Sequence, residues 1–579
     1  MKKSIILALF LLNFVSVDAA TVAKVNGKTK VVADTGGSVI VLPSLDLPSL
    51  SRRLIDLNQE YLSRPSSRLL VDLKATATER RNRLLKLATA DPQAFLAAVL
   101  PAEQLNQLIP ELQLLVEKLS AIDGVLGVRH FDVPDATGQF NVAQSYSRYT
   151  ILPDTGPAYD FYPTGNLDWP SGTRVSLAQA YSLDQSLVGS SGQLKFTAAR
   201  PPQSTTGEIK TLVLLVEFSD SPAPPVTPDE VADLVFAGQN RAYFDEQSYG
   251  QTAFVGDRSD VYGWIRLNRP GQTADGACRP VYLGANGWED GNKIVHDLGL
   301  DQQLALRYRQ VVIFENHPCM LGGWSTLGPY PVKLVNGSSF LLSDVGIGLG
   351  HFGNIDNYYR SIFQEQFAWG WINHALAHEL GHSLGLAHAN GWECGIESFR
   401  EDCQNLEYFN PFDVMGFGRA SLHYGGYMKE KIGWLKGTDI VTITRSGRYG
   451  LHPLEASSGG RTARIPLPGL PERYIYLEYR QPIGFDVNLG NERFSINRDG
   501  LLLNYVKKRF NTYSDPVIDL TTTQLIDPSP ATDDWNYATP DFALHEEQTL
   551  EIDSGGQKIT IGPITQMEPD LISFMVRIE

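Results

Sequence analysis

The stretch His378–His388, HELGHSLGLAH, constrains this chain more than any other. His378 and His382 stand four apart, so on an α-helix they share one face, about 6 Å apart along the axis. The residues before them, WINHALAHEL, alternate at helical period and are rich in helix formers. Gly385 then ends the helix, because glycine accepts the left-handed conformation of a C-terminal cap. The chain turns back, and His388 can supply a third nitrogen. Three imidazoles with a fourth position open is the arrangement of a catalytic rather than a structural zinc. Glu379 lies beside that open position, where it can take a proton from a water.

A second pattern overlaps the first. Gly381–Gly385, GHSLG, also fits GxSxG, a serine nucleophile elbow. An elbow needs a strand before Ser383 and a helix after it. Here a helical pattern precedes it and loop-like LAHANGW follows, so the serine reading is the poorer one. HExxHxxGxxH also fixes three His, a Glu and a Gly, far more than a helix that happens to carry histidines.

HELGHSLGLAH resembles the metzincin signature. That resemblance implies a Met-turn under the zinc ligands, and Asp413-Val-Met-Gly416 offers Met415, whose thioether would support the imidazoles by packing. Phe417 stands where astacins and serralysins carry an extra tyrosine ligand, so the resemblance implies three histidines alone. TLVLLVEFSD, FDEQSYGQTAFVGDRSDVYGWI, FDVMGFG and YMKEKIGWL make the chain similar to the gametolysin family and its secreted bacterial relatives over about 205–579. It follows that Zn²⁺ would be held by His378, His382 and His388, with Glu379 as general base of a metalloendopeptidase acting on proteins or peptides, extracellular-matrix or cell-wall proteins among them. Asp413 and Glu365 are candidates to orient the imidazoles. Tyr424 and His423 are read as structural.

MKKSIILALFLLNFVSVDAA reads as a secretory signal peptide, with Lys2 and Lys3 before an apolar core and Val17 and Ala19 placed for cleavage. No later apolar run is long enough to span a bilayer. The expected product is therefore secreted. Cys278, Cys319, Cys394 and Cys403 suggest disulfides in an exported chain. Proximity favours Cys394–Cys403 and Cys278–Cys319 among the three pairings. The formal net charge of −16 argues against nucleic acid as a partner. Ca²⁺ has no DxDxDG-type motif to support it.

The fold class expected is multidomain α+β. A signal peptide, 1–19, precedes a helical N-terminal region, 20–124, read as a propeptide candidate. A small β-rich region and linker, 125–206, comes next. The metzincin-like α/β catalytic domain spans 207–436, with buried-strand candidates IKTLVLLVEFSD and RQVVIFE. Glycine-rich 321–353 reads as long loops. A C-terminal β-sandwich-like domain closes the chain, 437–579. No cysteine precedes Cys278, so a thiolate latch from the N-terminal region is excluded. Asp132, Asp135 and Asp154 are the carboxylates available there. The rival to an active peptidase is a secreted binding protein with a dead peptidase domain.

Overall fold

The computed structural model describes residues 45–134, 140–165, 167, 169–198, 204–274, 276–287, 289–317, 322–349, 370–416, 421–490, 499–507, 522–530 and 542–579, with the backbone of three short strands within 21–41. The predicted signal peptide, Cys319, Asp135, Glu365 and Phe417 lie outside them. The fold is mixed α+β with more strand than helix, in several sheets. Among the described residues no helix is long and apolar enough to cross a membrane.

Two compact units divide the chain. The first is Met1–Ile122 with Tyr159–Leu167 and Ser176–Lys195. The second is Asp123–Ala158, Asp168–Val175 and Phe196–Glu579. In the first, helices Leu47–Ser63 and Ser67–Ala90 begin at Asp46 and Ser66, whose side chains cap Ser49 N and Leu69 N. Their leucines meet around Leu54 and Leu73. Arg80 and Glu117 form a buried, two-pronged ion pair beside them.

The second unit is built on a twisted sheet. Gly207–Glu217, Gln310–Asn316 and Ser339–Gly348 run parallel and are buried where they pair. Their apolar runs suit strands covered on both faces. Glycine-rich 321–353, expected to be loop from its composition, is largely strand over its described part, 322–349. It contains strands Gly323–Thr326, Tyr330–Lys333 and Ser339–Gly348. Gly328 and Gly337 turn the chain between these strands with positive φ, whereas Gly323 and Gly346 serve close packing. A Cβ on Gly346 would lie 2.0 Å from the Trp324 indole, and one on Gly323 2.2 Å from Glu379 Oε1.

Gly323–Thr326 pairs antiparallel with Ser339–Gly348 on one side. On its other side it pairs antiparallel with a strand from far earlier in the chain, Lys118–Asp132, in the register Gly323↔Asp132 to Thr326↔Arg129. Tyr146–Pro153 pairs next to that strand in turn. The N-terminal β segment thus continues the sheet of the expected catalytic region.

After the histidines the chain enters a second sheet. Ala389–Glu393 pairs parallel with Thr523–Ile526, which joins Leu501–Lys507, Arg473–Glu478 and Thr462–Pro466. A four-stranded sheet, built from Gly447–Leu451 and three strands of 550–578, packs on this one through a shared core including Ile475, Leu503, Ile561 and Phe574. Cys394 and Cys403 are disulfide-bonded as expected, and Cys278 is disulfide-bonded too.

Arg480 ties the second sheet to the loop under the histidines. It is fully buried, bonded to Asp486 and Glu455, and donates to the Phe412 carbonyl at 2.9 Å. Arg480→Leu leaves Asp486 buried without its cation. A loss of about 3–5 kcal/mol of stability is expected, read as a lower denaturation midpoint in urea.

Candidate metal centre

Helix Gly370–Ser383 carries two of the three histidines on its buried face. It ends as its sequence suggests. Gly385 has φ +98°, Leu386 N donates to Gly381 O at 3.0 Å, and Gly385 N to His382 O at 2.8 Å. This pair of bonds is a Schellman cap, and it returns the chain so that His388 faces the helix. Ser383 is the helix's last residue, and its hydroxyl donates to Leu380 O at 2.9 Å. No strand precedes it, so the geometry of a nucleophile elbow is missing.

Each imidazole is oriented through Nδ1. His378 Nδ1 meets Val414 O at 2.8 Å, His382 Nδ1 meets Leu386 O at 2.7 Å, and His388 Nδ1 meets Glu407 Oε1 at 2.8 Å. All three acceptors require Nδ1 to carry the hydrogen. The three Nε2 atoms are left as lone-pair donors turned toward one point. His382 Nε2 and His388 Nε2 are 3.1 Å apart. A tetrahedral ion with metal–nitrogen bonds of 2.0–2.1 Å spaces its ligands by about 3.3 Å. His378 Nε2 is buried with no hydrogen-bond partner, as are both oxygens of Glu379. Buried lone pairs facing one another repel unless a cation lies between them. His378, His382, His388 and Asp132 could together hold a metal ion.

Asp132 is the member that sequence reading did not single out. It ends strand Lys118–Asp132, and its carboxylate caps the cluster. Oδ2 lies 3.6 Å from His378 Nε2 and 3.5 Å from His382 Nε2, and Oδ1 lies 3.4 Å from His388 Nε2. The Tyr408 hydroxyl donates to Oδ1, and the Tyr408 ring lies 3.9 Å from that of His388. His130, two residues back on the same strand face, packs its ring 4.6 Å from His388. Phe140 covers His378 at 4.5 Å.

The electrostatics centre on Asp132. Burial opposes its ionisation, but His130 and the three imidazoles hold it well below the usual carboxylate range. Burial lowers His382 to about 3. Burial also opposes charge on His388, yet Asp132 and Glu407 outweigh it and raise His388 to about 9. Burial, then the Asp132 charge, push Glu379 well above its ordinary value. The cluster thus places a positive charge against Asp132.

Met415 lies against the helix at Gly381. A Cβ on Gly381 would come within 2.5 Å of its sulfur, and Met415 O accepts from Ala389 N. Asp413 does not orient an imidazole directly. It accepts from Met415 N at 2.8 Å and Gly425 N at 2.7 Å, and so shapes the turn that offers Val414 O to His378. Tyr424 donates to Ala377 O, and His423 sits between Glu246 and Lys429, both away from the cluster. Glu407 and Tyr408 carry no sequence signal, since nothing in their spacing marks them.

Glu407→Ala removes the acceptor that orients His388. It is expected to weaken metal binding by about 10–100-fold, measured by competition with a chromophoric chelator. No protein-family model matches the chain, and none of the curated proteins compared with it matches.

Proposed function

We propose that the protein is a secreted zinc-dependent metalloendopeptidase whose N-terminal segment keeps it latent. The observation that carries this reading is the set of three imidazoles, each tied at Nδ1 and converging at Nε2, with Glu379 on the adjoining helix position. Three imidazole donors suit Zn²⁺ once the His388 proton is lost, and a catalytic zinc has three protein ligands and one open position. A zinc ion bound there would supply Lewis acidity and make water acidic near neutral pH. Glu379, whose charge burial and Asp132 disfavour, is suited to take a proton from water and pass it to a leaving amine once Asp132 has moved away. Gly323 brings strand Gly323–Thr326 against Glu379; with strand Lys118–Asp132 displaced that strand would become an edge, and an extended peptide paired along it would present its backbone to the base. Tyr408, freed from Asp132, would offer its hydroxyl as a donor beside the cluster.

Latency follows from Asp132. Its carboxylate fills the side of the cluster that a water and a substrate would need, and its own strand takes the edge they would pair with. The alternative, a binding protein with an inactive peptidase domain, fits poorly with an intact ligand set and a well-placed Glu379.

A gelatin or casein zymogram with and without chelator separates these readings. Glu379→Ala is expected to retain one zinc per chain while losing hydrolysis by at least about 10³-fold. Normal turnover in that variant removes Glu379 from the mechanism. The full-length Asp132→Ala chain is expected to hydrolyse a fluorogenic casein at least about tenfold faster than the full-length wild type, from the loss of one charge-assisted contact at the cluster. Equal rates would dismiss the latch. Ser383→Ala should be tolerated.

A further inference from the structure

Side chains along strand Lys118–Asp132 alternate between two faces. Asp132 and His130 face the histidines. Arg129 and Phe131 face the other way, and Arg129 enters a closed cage. Its Nη2 donates to Asp344 Oδ1 at 2.9 Å, Asp344 Oδ2 at 3.1 Å and Leu283 O at 2.7 Å. Its guanidinium lies 4.4 Å from the Tyr282 ring centroid, 4.5 Å from Tyr330 and 5.1 Å from Trp324. Asp344 is fully buried, and its other contact at Oδ2 is the Leu283 amide at 2.9 Å. Apart from Arg129 itself, the cage belongs to 282–344, the segment that also supplies the edge strand.

We propose that this cage is a substrate subsite selective for arginine, occupied by the N-terminal strand in the latent chain. A peptide taken along the same edge in the same register would present, three residues before the one facing the histidines, a side chain at the position of Arg129. The inference rests on the peptidase reading above and adds its substrate class.

The chemistry of the cage selects the guanidinium. A buried carboxylate left without a cation costs several kcal/mol. Burial already pushes Asp344 above its ordinary value, and Arg129 is what draws it back. Three aromatic faces around one charge favour a flat, weakly hydrated cation over the compact, strongly hydrated ammonium of lysine. A neutral isostere such as citrulline fits the volume but leaves Asp344 unpaired. Nothing in the cage uses the backbone of Arg129. Besides its own neighbour Tyr146–Pro153, the strand is held by its pairing with Gly323–Thr326, and that pairing any extended peptide can reproduce.

Two measurements on full-length protein test this. The first adds Nα-acetyl-arginine amide or its citrulline counterpart to the Arg129→Ala chain. The arginine amide alone is expected to raise the melting temperature by about 3 °C or more at saturation, and neither compound should move the wild type. The second incubates the zinc-loaded Arg129→Ala/Asp132→Ala chain with a chymotryptic peptide library and identifies cleaved bonds by mass spectrometry. Arginine is expected to be enriched at one fixed position on the N-terminal side of the cleaved bond. A peptide with citrulline there should lose at least about 30-fold in kcat/KM, and Asp344→Asn should bring the arginine and citrulline peptides close to each other. Cleavage without arginine preference overturns the subsite and leaves the peptidase reading standing, even if the amide binds. Failure of the amide to stabilise Arg129→Ala overturns it as well. Should Arg129→Ala not fold, the preference is read on the Asp132→Ala chain, where its absence counts equally against the proposal. No cleavage of any peptide by a zinc-loaded, folded chain removes the peptidase reading and the subsite with it.

Discussion

The hydrogen bonds at the three imidazole Nδ1 atoms are the constraint on which the site depends. An imidazole can present either nitrogen, and its tautomer is set by what the other nitrogen meets. Here each partner comes from a different piece of chain. Leu386 O is delivered by the glycine cap of the helix itself. Val414 O is delivered by the turn that Asp413 shapes. Glu407 follows strand Gln404–Leu406, which pairs with Ala389–Glu393, and that strand in turn pairs with Thr523–Ile526. The candidate metal centre is therefore built partly by the last third of the chain. Arg480, bonded to the Phe412 carbonyl, is another link between the second sheet and the turn at Asp413–Gly416.

The next consequence is electrostatic. Three nitrogens preorganised with their lone pairs inward form a site that demands a positive charge. With His388 raised and Asp132 held ionised, a proton on His388 meets that demand and the Asp132 carboxylate balances it. A divalent cation meets the same demand through the same atoms. It would be flanked by an anion from the N-terminal strand and by Glu379, whose own charge is disfavoured by burial and by Asp132. Removing Asp132 lowers the cost of ionising Glu379, so one movement would open the cluster and favour the basic form of its neighbour.

How much of this the sequence disclosed follows from how local each signal is. His378, His382, Gly385 and His388 interact through the helix and its cap, so spacing alone placed them. Met415 was legible only through the family resemblance, because its contact with Gly381 spans 34 residues. Asp132 stands 246 residues before His378. Asp132, Asp135 and Asp154 look alike in sequence, and only the register of strand Lys118–Asp132 on Gly323–Thr326 separates the first from the rest. The glycines of 321–353 misled for a related reason. Glycine signals a turn when its conformation is what matters, but Gly323 and Gly346 are needed for what approaches them. Cys394–Cys403, nine residues apart, was within reach of proximity.

An inhibitor built into the same chain as its target needs little affinity of its own. A tethered segment meets its site at an effective concentration on the order of millimolar, so on the proposed reading the Asp132 contact and one arginine cage would suffice to keep strand Gly323–Thr326 covered. Cutting the chain between Pro134 and Gly207 would turn that contact into a bimolecular one and dilute it to the concentration of the free fragments. The cage, the edge strand and the histidines all lie beyond that interval in sequence and stay together. A substrate that carries an arginine into the cage could then compete on equal terms with the strand it replaces. The same contacts would close the enzyme before cleavage and select its substrates afterwards, and the difference between the two states would be one of concentration rather than of shape.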